Sequence, residues 1–351
     1  MAAARPSRSK VVGRVADQLA ARFPGHPLRV AVDGVTAAGK TTLADELAAA
    51  VGARGRSAVR LSMDDFHHPR ARRHRQGRAS ARGYYKDAFD FETFARLVLA
   101  PLGPDGDRRY APRAHDLDSD QPVHDSPQWA AADAVVIVDG SFLQNPTLDG
   151  GWDEVVYVDV SFAAACERGI RRDAAMFGGK ENARELYASR YHAAGRLYQD
   201  EIHPAERATV RIGNDDLGAP VLHHIGGPAD AAVTLFAYGT LQDPAVQQSS
   251  FGRTLSGRLD VLLGHHRDWV EITDPAVIAA SGSTRHPLVR PTGDPDDQVP
   301  GTVLTLTTAE LAAADLYEVD DYRRVDVRLR SGAHSWAYLA AGAGGEQRAL
   351  P

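Results

Sequence analysis

Apolar runs alternate with amphipathic stretches along the first two-thirds of the chain. The short apolar runs predict strands at 28–34, 58–63, 134–139, 154–160 and 208–212. Helical spacing of apolar residues follows positions 40, 90, 161 and 180. This alternation predicts an α/β fold with a doubly wound parallel sheet and helices on both faces. Such sheets bind their ligands at the carboxyl ends of the strands.

The pattern changes after the polar and glycine-rich segment 214–228. Short strands separated by turn residues are predicted at 235–238, 259–263, 269–272, 302–305, 325–329 and 335–339. One helix is predicted at 308–317, where Thr307 and Glu310 can form a capping box. These elements predict a second, small, mostly β domain with one main helix, closed or nearly closed into a barrel. The predicted organisation is a tail and first helix (1–27), the α/β domain (28–223), a linker (224–232) and the β domain (233–351).

Composition narrows the classes of function. A length of 351 residues agrees with about two domains, and 43% hydrophobic with 25% charged residues is typical of globular proteins. The net charge of -6 argues against general binding to nucleic acid or to anionic membranes. A single cysteine, Cys166, suits a reducing compartment. We expect a cytoplasmic protein with small-molecule partners. The sequence leaves open whether the protein forms a homo-oligomer.

The segment 34–41 carries every defined residue of the pattern G-x-x-x-x-G-K-[ST]. A predicted strand precedes it and a predicted helix follows it, which is the context that this phosphate-binding loop requires. Its backbone N–H groups cradle phosphate, Lys40 reaches the β- and γ-phosphates, and the Thr41 hydroxyl holds Mg²⁺. No N-K-x-D guanine motif occurs, so ATP and Mg²⁺ are the predicted cofactors. The predicted ATP-binding residues of this P-loop are Gly34, Val35, Thr36, Ala37, Ala38, Gly39, Lys40, Thr41 and Thr42.

Carboxylates follow two other predicted strands. Asp64 and Asp65 come after the second strand, and Asp139 follows the apolar run 134–138. Phosphoryl transfer needs a base near the acceptor hydroxyl, a metal ion and cations around the phosphate. Asp139 is placed where a carboxylate linked to Mg²⁺ would lie. Helix capping by Asp64 or Asp65 and a structural role for Asp139 are the alternatives.

Three further segments read S-M-D-D-F at 62–66, K-D-A-F-D at 86–90 and R-G-I-R-R-D at 168–173. With them, residues 28 to about 215 resemble the uridine kinase family, whose corresponding segments are S-x-D-x-F, P-D-A-F-D and the lid signature R-R-x-x-R-D. The resemblance implies Asp64 as general base, Asp87 as ligand of ribose hydroxyls, Tyr110 and His115 as readers of the base, and Arg168 and Arg172 as a clamp on the transferring phosphate.

Several positions depart from that family. Leu117 stands where the family has an arginine after the histidine, Gly169 replaces the second lid arginine, and Asp139 replaces a glutamate. A pantothenate-like molecule or a sugar phosphate is therefore the alternative to a nucleoside acceptor. The arginines between 70 and 82 could bind nucleic acid, but the net negative charge favours a solvated loop.

The second domain contains a loop of Tyr238, Gly239, Thr240 and Leu241 and, later, the Y-E-x-x-x-Y-x-R segment 317–324. With this loop and this segment, residues 234 to about 341 resemble the γ-glutamylcyclotransferase-like family. The resemblance implies that the α-amine of a γ-glutamyl group attacks its own γ-carbonyl and forms 5-oxoproline, without metal or cofactor. It assigns the proton shuttle to Glu318 and substrate binding to the four loop residues. A non-catalytic module that senses a metabolite is the alternative.

Overall fold

The computed structural model describes residues 7–225, 232–271, 285–317 and 322–340. The chain divides into two compact units, Met1–Pro228 and Ala229–Pro351, here called the N-terminal unit and the C-terminal unit. This division falls inside the segment 224–232 that was predicted to be a linker.

A six-stranded sheet forms the centre of the N-terminal unit, and its strand order is β10-β9-β8-β1-β7-β2. All neighbours in it are parallel except β9 and β10. Four short strands form two separate ribbons, β3 with β6 and β4 with β5. The strands are β1 (Leu28–Gly34), β2 (Ala58–Ser62), β3 (Arg109–Tyr110), β4 (His115–Asp116), β5 (Gln121–Pro122), β6 (Gln128–Trp129), β7 (Val135–Asp139), β8 (Glu154–Asp159), β9 (Val210–Gly213) and β10 (Val221–Ile225).

The five predicted strands and the parallel sheet are confirmed. The antiparallel strand β10 was not predicted, and it extends into the segment 224–232. Its sequence lacks a regular alternation of apolar and polar residues. This agrees with the structure, in which the register of its pairing with β9 shifts between Leu222 and His224. His224 is buried there, and one of its ring nitrogens lies 2.9 Å from the backbone oxygen of Ala208.

Nine α-helices surround this sheet in the described part of the N-terminal unit. A π-helical turn at Tyr187–His192 joins α7 to α8, and another at Ala95–Leu99 extends α5. Turns of 3-10 helix lie at Met63–Phe66 and Pro146–Leu148. The helices are α1 (Arg8–Ala21), α2 (Lys40–Gly52), α3 (Arg70–Arg73), α4 (Ala81–Asp87), α5 (Phe91–Phe94), α6 (Phe162–Asp173), α7 (Lys180–Leu186), α8 (Ala193–Ile202) and α9 (Pro204–Arg207).

Both faces of the sheet are covered. Ala31, Val136 and Val138 face an aromatic-rich core that includes Tyr84 and Tyr198. Their chain neighbours point to the opposite face because side chains alternate along a strand, and these neighbours are buried as well. This double burial explains why β1 and β7 read as continuous apolar runs.

The C-terminal unit is a nearly closed barrel. Its five-stranded sheet has the order β12-β15-β11-β17-β16, and a two-stranded sheet pairs β13 with β14. A bridge between Leu262 and Leu329 joins the two edges of the larger sheet, and the Arg330 N–H donates to the Val261 oxygen at 2.8 Å. The strands are β11 (Ala232–Ala237), β12 (Gly257–Leu263), β13 (His265–Glu271), β14 (Arg285–Pro291), β15 (Gln298–Thr307), β16 (Tyr322–Arg328) and β17 (His334–Ala340).

Two helices accompany this barrel in the described ranges of the C-terminal unit, although only one was predicted. The expected one is α11 (Thr308–Tyr317), and the additional one is α10 (Pro244–Phe251). Its signal was present, because Asp243 caps it, proline holds the first helical position, and Gly252 ends it with a φ of 71°. None of the helices in the described ranges has the length and apolar character needed to span a bilayer.

Candidate functional site

The predicted P-loop connects β1 to α2 and needs glycine at two positions. Gly39 has a φ of 96°, and a Cβ there would lie 2.8 Å from Nδ2 of Asn214. A Cβ on Gly34 would lie 2.6 Å from the Val158 oxygen. Asn214 also donates from Nδ2 to the Ala38 oxygen at 2.8 Å. The loop therefore curls at the carboxyl ends of β1 and β8, with its shape held by Asn214 after β9.

The side chain of Lys40 folds back over the P-loop. Its Nζ donates to the Val35 oxygen at 2.9 Å and to Ser141 Oγ at 3.3 Å. Burial lowers the pKa of Lys40, while the negative charges of Asp33, Asp64 and Asp139 oppose this shift. A buried ammonium surrounded by carboxylates is poised to exchange these contacts for phosphate oxygens.

Thr41 and Asp139 meet at the predicted metal position. The Thr41 hydroxyl donates to Asp139 Oδ2 at 2.6 Å, and Arg60 holds the other carboxylate oxygen at 2.9 Å. The parallel pairing of β1 with β7 produces this meeting, because it places Val32 beside Asp139. A hydroxyl and a carboxylate are hard oxygen donors of the kind that Mg²⁺ takes together with water and substrate phosphates. The donor set thus fits Mg²⁺ with only these two protein ligands, since no group of three or more His, Cys, Asp or Glu side chains able to hold a metal ion occurs in the described ranges, this site included.

Asp33 was missed by sequence reasoning. It is fully buried at the end of β1, and it accepts from the Gly34 N–H at 2.8 Å, from the Tyr198 hydroxyl at 2.5 Å and from Gln144 Nε2 at 3.2 Å. Burial raises the pKa of Asp33, and these hydrogen bonds oppose the shift. Asp33 could have been selected from the sequence, because it is a carboxylate inside an apolar strand and lies directly before the P-loop. Asp33 ties this loop to α8 and to the segment after β7.

Asp64 is exposed at the start of the 3-10 turn after β2. Its backbone N–H donates to the Ser62 side chain at 3.3 Å, so its carboxylate is left to other partners. The charge of Asp64 acts on the pKa values of Lys40, His67 and Tyr84. Asp64 is therefore within electrostatic range of the P-loop lysine. His67, which sequence reasoning did not select, has a pKa lowered by burial.

The residues assigned to nucleoside binding have partners within the protein. Asp87 is buried and accepts from Arg75 at 2.8 Å and from Gln76 at 2.6 Å. The Tyr110 hydroxyl donates to Gln128 at 3.0 Å. His115 Nε2 lies 3.2 Å from Asp120 Oδ1, and its charge acts on His67. His115 is thus within electrostatic range of a neighbour of Asp64, whereas Asp87 is engaged by the segment before α4.

The two lid arginines of α6 have different surroundings. Arg168 donates at 2.7 Å to the backbone oxygens of both Asn214 and Asp215. Arg172 pairs with Asp173 at 2.7 Å, and its charge acts on Lys40. Both line a cleft of about 330 Å³ beside the P-loop. Its other lining residues are Arg8, Ala37, Gly39, Thr42 and Leu217.

In the C-terminal unit, the Y-G-T-L loop lies at the end of β11. Tyr238 is buried and its hydroxyl donates to the Tyr338 oxygen. Gly239 is required by close packing, because a Cβ there would lie 2.9 Å from Pro287. Thr240 opens a 3-10 turn that buries Leu241. Gln247 of α10 holds this turn by donating to the Leu241 oxygen at 2.9 Å. Glu318, the predicted proton shuttle, lies outside the described residues.

A buried polar group near the end of α11 was also missed. Asp315 accepts from Arg324 at 2.7 Å and from the Tyr338 hydroxyl at 2.9 Å. The Arg324 guanidinium lies 4.7 Å from the centre of the Trp336 ring. Arg324 belongs to the Y-E-x-x-x-Y-x-R segment, so its partner fixes this segment against the barrel. The sequence contained a sign of this buried polar group, since Asp315 interrupts the apolar side of a predicted helix.

Residues 235–350 match the family model described as gamma-glutamyl cyclotransferase, AIG2-like. The C-terminal resemblance is confirmed. A solved structure named gamma-glutamyl cyclotransferase is 15% identical, covers 32% of this chain and 68% of its own, and has a TM-score of 0.27.

For the N-terminal unit, a solved structure of a possible uridine kinase from Bacillus stearothermophilus is 22% identical. It covers 58% of this chain and 97% of its own, with a TM-score of 0.47. Among curated proteins, no relative matches the chain. In the N-terminal unit the P-loop follows β1, an inner strand of the parallel sheet.

Proposed function

We propose that the protein is a bifunctional enzyme whose N-terminal unit transfers the γ-phosphate of ATP to a hydroxyl of a small acceptor. The observation that carries this proposal is the pair formed by Thr41 and Asp139 beside Lys40, with Asp64 in electrostatic range. A base, a metal position and a phosphate cradle are the parts that phosphoryl transfer needs. Small molecules in the cytoplasm are the proposed partners, and neither nucleic acid nor a membrane is required.

Each residue has a role in this mechanism. The oxygen of the acceptor hydroxyl attacks the γ-phosphorus, and Asp64 accepts the proton of that hydroxyl. Lys40 and Arg172 neutralise the charge on the transferring phosphate. Thr41 and Asp139 would hold Mg²⁺, which when bound adds positive charge beside the phosphate oxygens. Arg168, which contacts the Asn214 loop, would position the nucleotide.

The acceptor suggested by the resemblance is a nucleoside, uridine or cytidine. Its support is the position of His115 near His67 and Asp64, together with the buried Tyr110. Asp87 would have to exchange Arg75 or Gln76 for ribose hydroxyls. A pantothenate-like molecule or a sugar phosphate is the second candidate, and Arg73, whose charge acts on His67, favours it.

ADP release tests the kinase proposal. The full-length protein is supplied with MgATP and, separately, with uridine, cytidine, other nucleosides, pantothenate and sugar phosphates, and Lys40→Ala serves as the blank. Turnover of one acceptor that disappears in Lys40→Ala is the expected result. Background ADP release with every acceptor would contradict a kinase.

For the C-terminal unit we propose γ-glutamyl cyclotransfer with release of 5-oxoproline. The family match and the ordered Y-G-T-L loop support it. Because the attack is intramolecular, the protein needs mainly to fold the substrate and to move one proton. Tyr238, Gly239, Thr240 and Leu241 would bind the γ-glutamyl group, and Glu318 would carry the proton.

Formation of 5-oxoproline from γ-glutamyl compounds tests this second activity. Glu318→Gln is expected to abolish it, while Asp326→Asn, which changes an exposed carboxylate on β16, is expected to retain it. Undiminished turnover in Glu318→Gln would refute the shuttle role. Substrate binding without turnover in the unmodified protein would favour the alternative, a non-catalytic metabolite-binding module.

A further inference from the structure

Five basic side chains gather on the segment before α4 and on the helical turn before α8. They are named the cationic cluster and comprise Arg70, Arg73, His74, Arg78 and Arg190. Burial together with the positive charges of Arg190, Arg73, Arg78 and Arg70 lowers the pKa of His74. Residues more than a hundred positions apart in the chain therefore share one electrostatic environment.

Three nitrogens of the cationic cluster are buried without a hydrogen-bond partner in the described part of the chain. They are Arg73 Nε, His74 Nδ1 and Arg190 Nε. Unsatisfied buried polar nitrogens are rare in folded proteins, and those of cationic groups such as Arg73 and Arg190 are costly. A ligand that supplies acceptor atoms would satisfy the two guanidinium nitrogens.

The neighbouring carboxylates do not neutralise the whole cationic cluster. Asp87 is engaged by Arg75 and Gln76. Asp120 accepts from Arg73 at 3.3 Å and from the Arg70 backbone at 2.8 Å. Within the ranges that the structure describes, neither Arg78 nor Arg190 forms an ion pair. A net positive charge thus remains, and Arg190 is partly exposed, so a ligand can reach its outer nitrogens.

Two tyrosines connect Arg190 to the phosphoryl-transfer site. The guanidinium lies 5.1 Å from the Tyr84 ring centre and 5.2 Å from that of Tyr191. The Tyr84 hydroxyl lies 3.5 Å from Thr36 Oγ1 of the P-loop. The charge of Asp64 acts on both tyrosines. Arg190 is therefore separated from the P-loop by one side chain, Tyr84, on which the charge of Asp64 also acts.

We propose that the acceptor carries a phosphate or carboxylate group in addition to the hydroxyl that is phosphorylated, and that the cationic cluster binds this anionic group. This inference rests on the proposed kinase function, and of the two acceptor classes proposed for it, it selects the anionic one over uridine or cytidine. A guanidinium held by two aromatic faces presents its N–H groups in a fixed plane, which suits the oxygens of either anion.

The test uses the full-length protein with a non-hydrolysable ATP analogue and Mg²⁺ filling the nucleotide site. Calorimetry measures the binding of ribose 5-phosphate against ribose, fructose 6-phosphate against fructose, pantothenate against panthenol, and inorganic phosphate alone. Turnover of the same compounds is measured with MgATP. The variant is Arg190→Gln, and Arg184→Gln on the same continuous helix is the control. His74→Gln is a second variant, and thermal unfolding verifies that each variant is folded.

An anionic compound is expected to bind roughly 10- to 100-fold more tightly than its neutral counterpart, as hydrogen bonds to charged groups provide. Arg190→Gln should remove this difference and Arg184→Gln should keep it. No Arg190-dependent binding of any anion, inorganic phosphate included, would overturn the inference. Turnover of neutral acceptors with equal or better efficiency would overturn it and leave the kinase function standing. Anion binding lost in Arg190→Gln, with no ADP release from any acceptor, would support the anion site and refute the kinase function.

Discussion

Single residues at the ends of β1 and β7 decide the chemistry of the N-terminal unit. Asp33 and Asp139 are both buried carboxylates that follow apolar strands. Asp33 is saturated by donors from Gly34, Tyr198 and Gln144, so its role is to hold the P-loop. Asp139 instead accepts from the Thr41 hydroxyl at the end of the P-loop. Two similar residues therefore differ in function because of their partners.

Asp64 is predicted to be the general base. Asp64→Asn should lower kcat by roughly 10²- to 10⁴-fold, the usual contribution of a positioned base. MgATP binding should persist, because Lys40, Thr41 and Asp139 are unchanged. Steady-state ADP release and calorimetric binding of ATP measure the two effects. Asp65→Asn removes a neighbouring carboxylate and is the matched control; full activity of Asp64→Asn would refute the assignment.

His192 is predicted to make the N-terminal unit sensitive to acid. Burial, aided by the charge of Arg196, lowers the pKa of His192 from 6.5 to about 4. The unfolded chain binds this proton below 6.5, while the folded protein resists it down to about 4. The contribution of His192 to the free energy of unfolding is therefore complete above the pKa of the unfolded chain. It declines by about 1.4 kcal/mol per pH unit as the pH falls from 6.5 to about 4.

Urea unfolding between about pH 7 and about pH 5 measures this dependence. His192→Gln should flatten it, and His124→Gln, which changes an exposed histidine, should not. Equal slopes in the protein and in His192→Gln would show that this residue does not govern the acid response.

At the scale of elements, close packing of α6 explains a departure from the uridine kinase pattern. A Cβ on Gly169 would lie 2.1 Å from the Tyr187 ring. Tyr187, in the π-helical turn between α7 and α8, donates to Asp173 at 2.5 Å, and Asp173 holds Arg172. An arginine at position 169 would displace this ring. The missing lid arginine is therefore replaced by a helix contact that orients Arg172.

The start of α11 is predicted to stabilise the C-terminal unit through its capping box. The Glu310 carboxylate accepts from the Thr307 N–H at 2.7 Å, and the Thr307 hydroxyl accepts from the Glu310 N–H at 3.1 Å. Thr307→Ala should lower the free energy of unfolding by about 1 kcal/mol, as measured by urea denaturation. The matched control is Thr305→Ala, an exposed threonine on the same strand. An unchanged midpoint in Thr307→Ala would contradict the cap.

The capping box also has a pH dependence. The hydrogen bond from Arg253, followed by those from Thr307, lowers the pKa of Glu310 below its usual 4.5. A depressed carboxyl pKa stabilises the fold above the unfolded pKa, and this contribution is lost as the pH falls through the folded value. The contribution of Glu310 is thus expected to be constant near neutral pH and to disappear under acid conditions.

At the scale of the whole molecule, each unit has its own hydrophobic core. Ligands of one unit should therefore act on that unit first. Calorimetry is predicted to show two unfolding transitions. At a hundred times its Kd, MgATP should raise the free energy of unfolding of the N-terminal unit by about 2.7 kcal/mol and leave that of the C-terminal unit unchanged. Lys40→Ala should remove this shift. A single transition that MgATP moves as a whole would show that the two units unfold together.

The sequence by itself determined the elements and the types of chemistry. Strand–helix alternation predicted the parallel sheet, turn spacing predicted the barrel, and a contiguous motif predicted the P-loop, because these signals are local and depend on side-chain periodicity. Position after a strand was enough to select Asp64 and Asp139, since the ends of parallel strands meet at one edge of a sheet. The helix α10 was missed although its capping signals were present.

Tertiary structure alone decided which polar groups have partners. Asp33 meets Tyr198, and Asp315 meets Tyr338, through contacts between residues far apart in the chain. The meeting of Arg190 with the segment 70–78 likewise depends on how α4 and the turn before α8 pack together. No periodicity encodes such pairs, because they arise only when separate elements bury the same space. The sequence therefore predicted a phosphate site, whereas the fold linked Arg190 to it through Tyr84.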